Sequence, residues 1–164
     1  MLSELTIRNV LSIEELTLSF QPGLNVLTGE TGAGKSILLD SLGFALGWRG
    51  RSDMVRPGAS AGEVTAIFEL AMDHPAWDVA AEAGLPCEDE TLILRRVASA
   101  DGRKRAFVND RRCSGEVLRL LSDTLVELHG QQDDKGLLDP ARHRGFLDAF
   151  LGDDAGRAAV RQAW

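Results

Sequence analysis

The stretch Gly29-Glu30-Thr31-Gly32-Ala33-Gly34-Lys35-Ser36 constrains this chain more than any other. It fits G-x-x-x-x-G-K-[ST], the loop that holds phosphates in nucleoside-triphosphate enzymes. That loop works only between a strand and a helix, so it dictates a local fold as well as a chemistry. Its glycines let the backbone turn N–H groups inward around a phosphate chain. Lys35 is placed to reach the β- and γ-phosphates, and the Ser36 hydroxyl to bind Mg²⁺. Ahead of the loop, apolar Leu24-Asn25-Val26-Leu27 suits a buried strand. Behind it, Ile37 to Leu46 reads as a helix whose N-terminal dipole faces the anion.

The chain has 164 residues, enough for one domain with a core, and at 44% hydrophobic and 26% charged it has an ordinary globular composition. No apolar run approaches the ~20 residues that span a bilayer. The N-terminus shows neither the basic nor the apolar region of a secretory signal. Cys87 and Cys113 stand alone with no C-x-x-C spacing, which points to a reducing cytoplasm and idle thiols. His74, His129 and His143 share no metal-ligand spacing. Trp48, Trp77 and Trp164 read as packing residues.

A net charge of −7 argues against a uniformly basic nucleic-acid binder. The charge is uneven, however. Residues 91–112 hold seven basic side chains against two acidic ones, a local +5. A solvated hairpin face is the ordinary explanation of such a run, and contact with a phosphate backbone is the functional one.

Along the chain, Leu5 and Ile7 share one face of a first strand, and Leu16, Leu18 and Phe20 one face of a second. Pro22-Gly23 is a turn before the phosphate loop. Val64, Ala66, Phe68 and Leu70 alternate as a half-buried strand. Pro75 to Ala83 predicts a short helix stopped by Gly84. Thr91–Val97 and Arg105–Val108 read as a hairpin around Asp101-Gly102. Ser114 caps a helix predicted to reach Leu121. Leu125-Val126-Glu127-Leu128 reads as a further strand, Asp139-Pro140 starts a helix, and Ala155 to Trp164 reads as another. The expected architecture is an α/β core with an attached antiparallel sheet.

An ATPase of this kind also needs an acidic strand end for Mg²⁺ and a carboxylate to activate water. Neither Leu125-Val126-Glu127, too short, nor Leu147-Asp148, in a helical pattern, supplies it. No Leu-Ser-Gly-Gly-type stretch follows the loop either. The hydrolytic machinery is therefore incomplete within these residues, and the expectation is the front part of something longer.

The residues resemble a known family. The opening Leu5-Thr6-Ile7-Arg8-Asn9 is similar to the L-x-I-x-N start of SMC-like ATPase heads, a DNA-acting branch of the ABC ATPase superfamily. Within that branch the match is to the RecN family of bacterial double-strand-break repair proteins. It is carried by Gly29 through Ser41, by Asp101-Gly102-Arg103-Lys104-Arg105-Ala106-Phe107-Val108-Asn109, by Leu128-His129-Gly130-Gln131 and by Leu147-Asp148. SMC proteins proper tend to have Pro-Asn where this loop has Glu30-Thr31.

The resemblance covers the N-terminal half of a head. It implies an α/β P-loop NTPase of the ABC/SMC head type: an N-terminal lobe with a mixed or antiparallel sheet plus the phosphate-loop helix. Residues 1–152 are expected to form that half, and 153–164 to begin a helix leading to a coiled coil. The implied function is ATP binding and hydrolysis coupled to DNA tethering in recombinational repair, with ATP and Mg²⁺ as ligands. The implied partners are the C-terminal half of the same head, a second head in an ATP-dependent dimer, and DNA, with no membrane. The implied location is the cytoplasm, at the nucleoid.

The implied ATP site comprises Gly29, Glu30, Thr31, Gly32, Ala33, Gly34, Lys35 and Ser36. Gln131 matches the glutamine of ABC-type heads that touches Mg²⁺ and the attacking water, a role an amide oxygen can fill. Adjacent Gln132 is the alternative ligand. Together with Lys35, Gln131 is the expected catalytic residue, and with Ser36 the expected metal contact. By analogy, Arg8 and Asn9 are candidate nucleotide contacts, and Arg49 and Arg51 candidate sensors. Arg103, Lys104 and Arg105 are candidate DNA contacts. The alternatives are the nucleotide-binding domain of a membrane transporter and a small-metabolite kinase. Against the first, the chain has no tyrosine to stack on adenine. Against the second, two strands precede the loop.

Overall fold

Alternating apolar and polar residues in the first 20 positions build a hairpin, and the rest of the sheet assembles on it. The computed structural model describes residues 1–28, 34–48, 53–86, 90–126 and 150. The chain divides into two compact units, Met1–Val126 and Glu127–Trp164. All the elements below belong to the first unit. The expected boundary at residue 152 lies outside the described residues, as do the predicted helices after Asp139 apart from Phe150, which is helical.

In chain order the elements are β1 (Leu2–Val10), β2 (Ile13–Ser19), α1 (Lys35–Ala45), β3 (Ala61–Glu69), α2 (Ala76–Glu82), β4 (Thr91–Ser99), β5 (Lys104–Val108), β6 (Arg111–Cys113) and α3 (Gly115–Leu125). The strands form one sheet in the order β2-β1-β3-β4-β5-β6, and each neighbouring pair is antiparallel. Leu5 stands opposite Leu18 and Ala66, and Ala66 stands opposite Leu94.

That register puts one apolar row on one face. Leu5, Ile7, Val64, Ala66, Phe68, Leu92, Leu94, Ala106 and Val108 are all buried. The intervening residues, among them Thr6, Glu63, Thr65, Arg95 and Phe107, are only half-buried. One face therefore carries the core and the other faces water, as a period-2 pattern requires. The core face is covered by Leu42, Phe44, Ala45 and Leu46 at the end of α1, Trp77 and Ala80 of α2, and Leu118 and Leu121 of α3. Burying one such large apolar side chain contributes about 1.5–3 kcal/mol.

Three expectations need correcting. Leu24-Asn25-Val26-Leu27 is not a buried strand. It has no ladder, and Leu24, Val26 and Leu27 are 92%, 68% and 49% exposed. A central strand needs neighbours, and no strand pairs with it among the described residues. Leu125 does not begin a strand but ends α3, which runs four residues past Leu121, and extended backbone starts only at Val126 (φ −145°, ψ 133°). Strand β6 was not expected. It follows a two-residue turn in which Asn109 and Asp110 both take positive φ, 44° and 60°, the conformation that joins tight hairpins.

The remaining elements match. The helix at Pro75 ends at Gly84 (φ 66°). The β4–β5 hairpin turns at Asp101-Gly102, and Ser114 caps α3 by accepting from Val117 N–H at 3.2 Å.

Candidate functional site

The two ends of α1 are finished differently, and that difference defines the site. At its N-terminus Gly34 sits at φ 95°, a left-handed conformation in which an L side chain is strained. Its carbonyl accepts the first helical bond, from Leu38 N–H at 3.0 Å. Among the described residues no side chain caps this end, and the first turn holds no acidic residue. Most helices satisfy these N–H groups with a capping oxygen or place a carboxylate against the dipole. Here an oxyanion from outside the chain suits both needs. Lys35 is half-buried and Ser36 is exposed at this end.

The C-terminus of α1 is fastened. Gly47 takes φ 84°, its N–H bonds to the Phe44 carbonyl at 3.1 Å, and the Trp48 N–H reaches back to Gly43 at 3.0 Å. These two bonds and the left-handed glycine make a Schellman stop. The Trp48 indole N–H then donates to the buried Ser122 hydroxyl at 2.7 Å, tying α1 to α3. From β4, Arg96 donates Nη1 to the Phe44 carbonyl at 2.9 Å and the Trp48 carbonyl at 3.4 Å, with its guanidinium 4.8 Å from the Phe44 ring centroid. A cation at a helix C-terminus also complements the dipole. Partial burial lowers the Arg96 pKa from its ordinary value, and this is opposed by the nearby Cys113. One end of the helix is thus immobilised on the sheet while the other presents Gly34, Lys35 and Ser36.

The other expected site residues divide. Gly29, Glu30, Thr31, Gly32, Ala33, Gln131, Gln132, Arg49 and Arg51 lie outside the described residues. Arg8 is exposed on the sheet face opposite the core, and its Nε donates to Glu15 at 3.0 Å. Asn9 is at φ 51°, and its carbonyl accepts from Arg56 N–H at 2.9 Å. Arg103 is held by Asp101, with Nε to Oδ2 at 2.7 Å. That hydrogen bond, above all, lowers the Asp101 pKa from its ordinary value and raises that of Arg103. Lys104 and Arg105 are exposed on β5 and border a cavity together with Arg96 and Arg112. The basic run of residues 91–112 announced these charges. The contribution of Arg96 to the α1 terminus was not readable, because it depends on the β3–β4 register. No helix among the described residues is long and apolar enough to cross a membrane.

A glycine-led, uncapped helix packed on an antiparallel sheet defines a lobe of the α/β P-loop NTPase class. The chain belongs to the AAA domain family, which residues 4–109 match. It is similar to the DNA repair protein RecN of Bacillus subtilis (strain 168), at 43% identity over 152 residues, which is 93% of this chain and 26% of that protein. The chain spans between 26% and 29% of the length of the curated relatives it matches first.

The fold is also that of SMC heads. The Smc head domain with a coiled coil and joint from Pyrococcus yayanosii superposes with a TM-score of 0.68 at 23% identity, over 99% of this chain and 34% of that one. A chain described under ATP-driven dimerization and DNA-stimulated activation of SMC ATPases superposes at 0.63 and 23% identity, covering 90% and 97% of the two chains.

Proposed function

We propose that this chain is the ATP-binding N-terminal half of an SMC-like ATPase head that works in DNA repair. The observation that carries this reading is the N-terminus of α1, led by a left-handed glycine, without a capping side chain among the described residues, and formed by the end of the G-x-x-x-x-G-K-S stretch. The RecN relatives support the repair context. They also weigh against a transporter domain or a metabolite kinase.

The residues present fit a triphosphate. The first-turn N–H groups and the helix dipole attract phosphate oxygens, and no carboxylate in that turn opposes them. Lys35 brings positive charge to the β- and γ-phosphates, and Ser36 offers a hydroxyl to Mg²⁺. The metal, when bound, draws charge from the phosphate oxygens. Gln131, with Gln132 as the alternative, orients water beside it. Anchoring the far end of α1 through Arg96, Gly47 and Trp48 keeps these groups from shifting as charge develops, which is how preorganised donors accelerate phosphoryl transfer.

Residues 1–152 supply this half, with 153–164 starting the helix toward a coiled coil. The C-terminal half of the head supplies the acidic strand and signature motif, and a second head closes over the nucleotide. ATP then acts by favouring the closed pair, and DNA is the load. The protein works in the cytoplasm at the nucleoid.

The decisive test compares ATP turnover of the full-length protein with that of Lys35→Ala. The variant is expected to lose about 10²-fold or more. Equal turnover removes Lys35 from the site. Gln131→Ala and Gln132→Ala, measured side by side, identify which amide serves the metal: the ligand's loss slows turnover while the neighbour's leaves it near wild type.

A further inference from the structure

Strand β4 puts Leu92, Leu94 and Ala98 on the core face, and all three are buried. The same alternation puts position 96 on that face, and the residue there is arginine. Its cross-strand partners are Val64 and Ala106, and Val64 in turn stands opposite Ile7. These three are buried apolar side chains. Arg96 is thus a cation in an otherwise apolar row, half-buried, with no carboxylate paired to it among the described residues. Taking a charge out of water opposes folding, and an apolar side chain of similar length would fit the row without that cost. A residue that breaks the pattern of its own strand calls for a reason in what it touches.

It touches α1. Its Nη1 donates to the carbonyls of Phe44 and Trp48, and α1 has no basic residue of its own in its last turn. The need for such a hold follows from how the helix is packed. Its buried residues are Ser41, Leu42, Gly43, Phe44 and Ala45, all in its second half. From Lys35 to Asp40 none is buried. The helix is a cantilever, gripped at one end and standing clear at the other, where Lys35 and Ser36 sit.

The 11 residues of α1 make an arm of about 16 Å. A tilt of about 4° at the gripped end therefore moves Lys35 by about 1 Å, and a misplacement of that size can slow a reaction about 10²-fold. Attraction between a triphosphate and the helix end is electrostatic and falls off gently with distance. The same tilt leaves binding nearly unchanged.

We infer that Arg96 is a positioning residue for ATP hydrolysis: held on the core row at a cost in stability, it fixes the angle of α1 and so sets the turnover number, not the affinity for ATP. The inference rests on the reading of the α1 N-terminus as the ATP site.

The test uses the full-length protein, with steady-state ATP turnover and thermal melting of wild type, Arg96→Met and Lys35→Ala. Methionine keeps the apolar length that packs on Phe44 and removes the donors. Arg96→Met is expected to melt at or above the wild-type temperature, with kcat lower by about tenfold and KM for ATP within about twofold of wild type. A wild-type kcat overturns the inference and leaves the proposed function intact. So does a raised KM at unchanged kcat, which assigns Arg96 to binding. A kcat that falls together with the melting temperature overturns it as well, because the arginine is then only structural. Should Arg96→Met fail to fold, Arg96→Gln, which keeps a donor without the charge, is judged by the same division between kcat and KM. Lys35→Ala turning over ATP as fast as wild type removes the ATP-site reading and this inference with it.

Discussion

Gly47 is a residue at which two separate demands coincide. Its φ of 84° penalises any side chain, and an added Cβ would stand 2.9 Å from Leu118 Cβ and 3.2 Å from both the Arg119 nitrogen and the Gly115 carbonyl oxygen. Two of those neighbours are α3 backbone and cannot swing aside. Gly84 has a similar φ of 66° but nothing within 4 Å of its would-be Cβ. Gly84→Ala should therefore cost about 1–2 kcal/mol, from conformation alone. Gly47→Ala should cost about 2–4 kcal/mol, because displacement of α3 is added. Urea denaturation of the two variants separates these contributions, and equal losses would mean that α3 does not press on Gly47.

Cys113 makes a second residue-scale prediction. Burial raises its thiol pKa above the ordinary 9.0, partly offset by the positive charge of Arg96. The folded state thus resists deprotonation more than the unfolded one. Its contribution to stability is complete below about pH 9 and declines as the pH rises through the folded value. Alkylation of Cys113 by iodoacetamide at mildly alkaline pH should accordingly run slower than that of a free cysteine.

At the scale of elements, α1 is held by α3 through the Trp48–Ser122 hydrogen bond and by β4 through Arg96. Ser122 is fully buried, so Ser122→Ala leaves the Trp48 N–H without its acceptor and should cost about 1–3 kcal/mol. Removing the donor as well, in Trp48→Phe/Ser122→Ala, should cost less than the two single changes summed. A double-mutant cycle by thermal or urea melting gives the coupling, and strict additivity would show that the bond does not join the helices.

The helix-bearing face and the strand order beyond β4 illustrate what elements alone reveal. Asp101-Gly102 marked one hairpin by its turn chemistry. The next, at Asn109-Asp110, was missed although its positive φ values suit those two residue types, because three residues of β6 are too few to show alternation.

At the scale of the whole molecule, the exposed run Leu24-Asn25-Val26-Leu27 is the open question that the proposed function answers. Its apolar residues match a buried strand, yet they face water here. The chain spans 26% of the length of its RecN relative, and the proposed function assigns the cover for this run to the rest of such a head. The 164-residue chain alone should therefore bind a hydrophobic dye, and Leu24→Asn/Val26→Thr should reduce that binding. In the full-length protein the same pair should instead destabilise, by exchanging core residues for polar ones. Unchanged stability in the full-length protein would mean that no strand ever covers the run.

The residues by themselves determined what depends on near neighbours. The strands at Leu5 and Leu16, the helix after Lys35, the stop at Gly84 and the cap at Ser114 all follow from local periodicity, φ preference and side-chain capping. The proposed phosphate chemistry follows likewise, because the motif's residues are contiguous in the sequence. Tertiary structure alone decided what depends on register and burial. Only the β3–β4 pairing brings Arg96 to the end of α1, only the packing of α3 adds a steric bar at position 47 to the one its positive φ imposes, and only the meeting of β4, β5, β6 and α3 turns a basic stretch into a recessed cavity. A strand cannot be recognised as buried from its own side chains when the partners that would bury it lie elsewhere, which is why Leu24 to Leu27 misled.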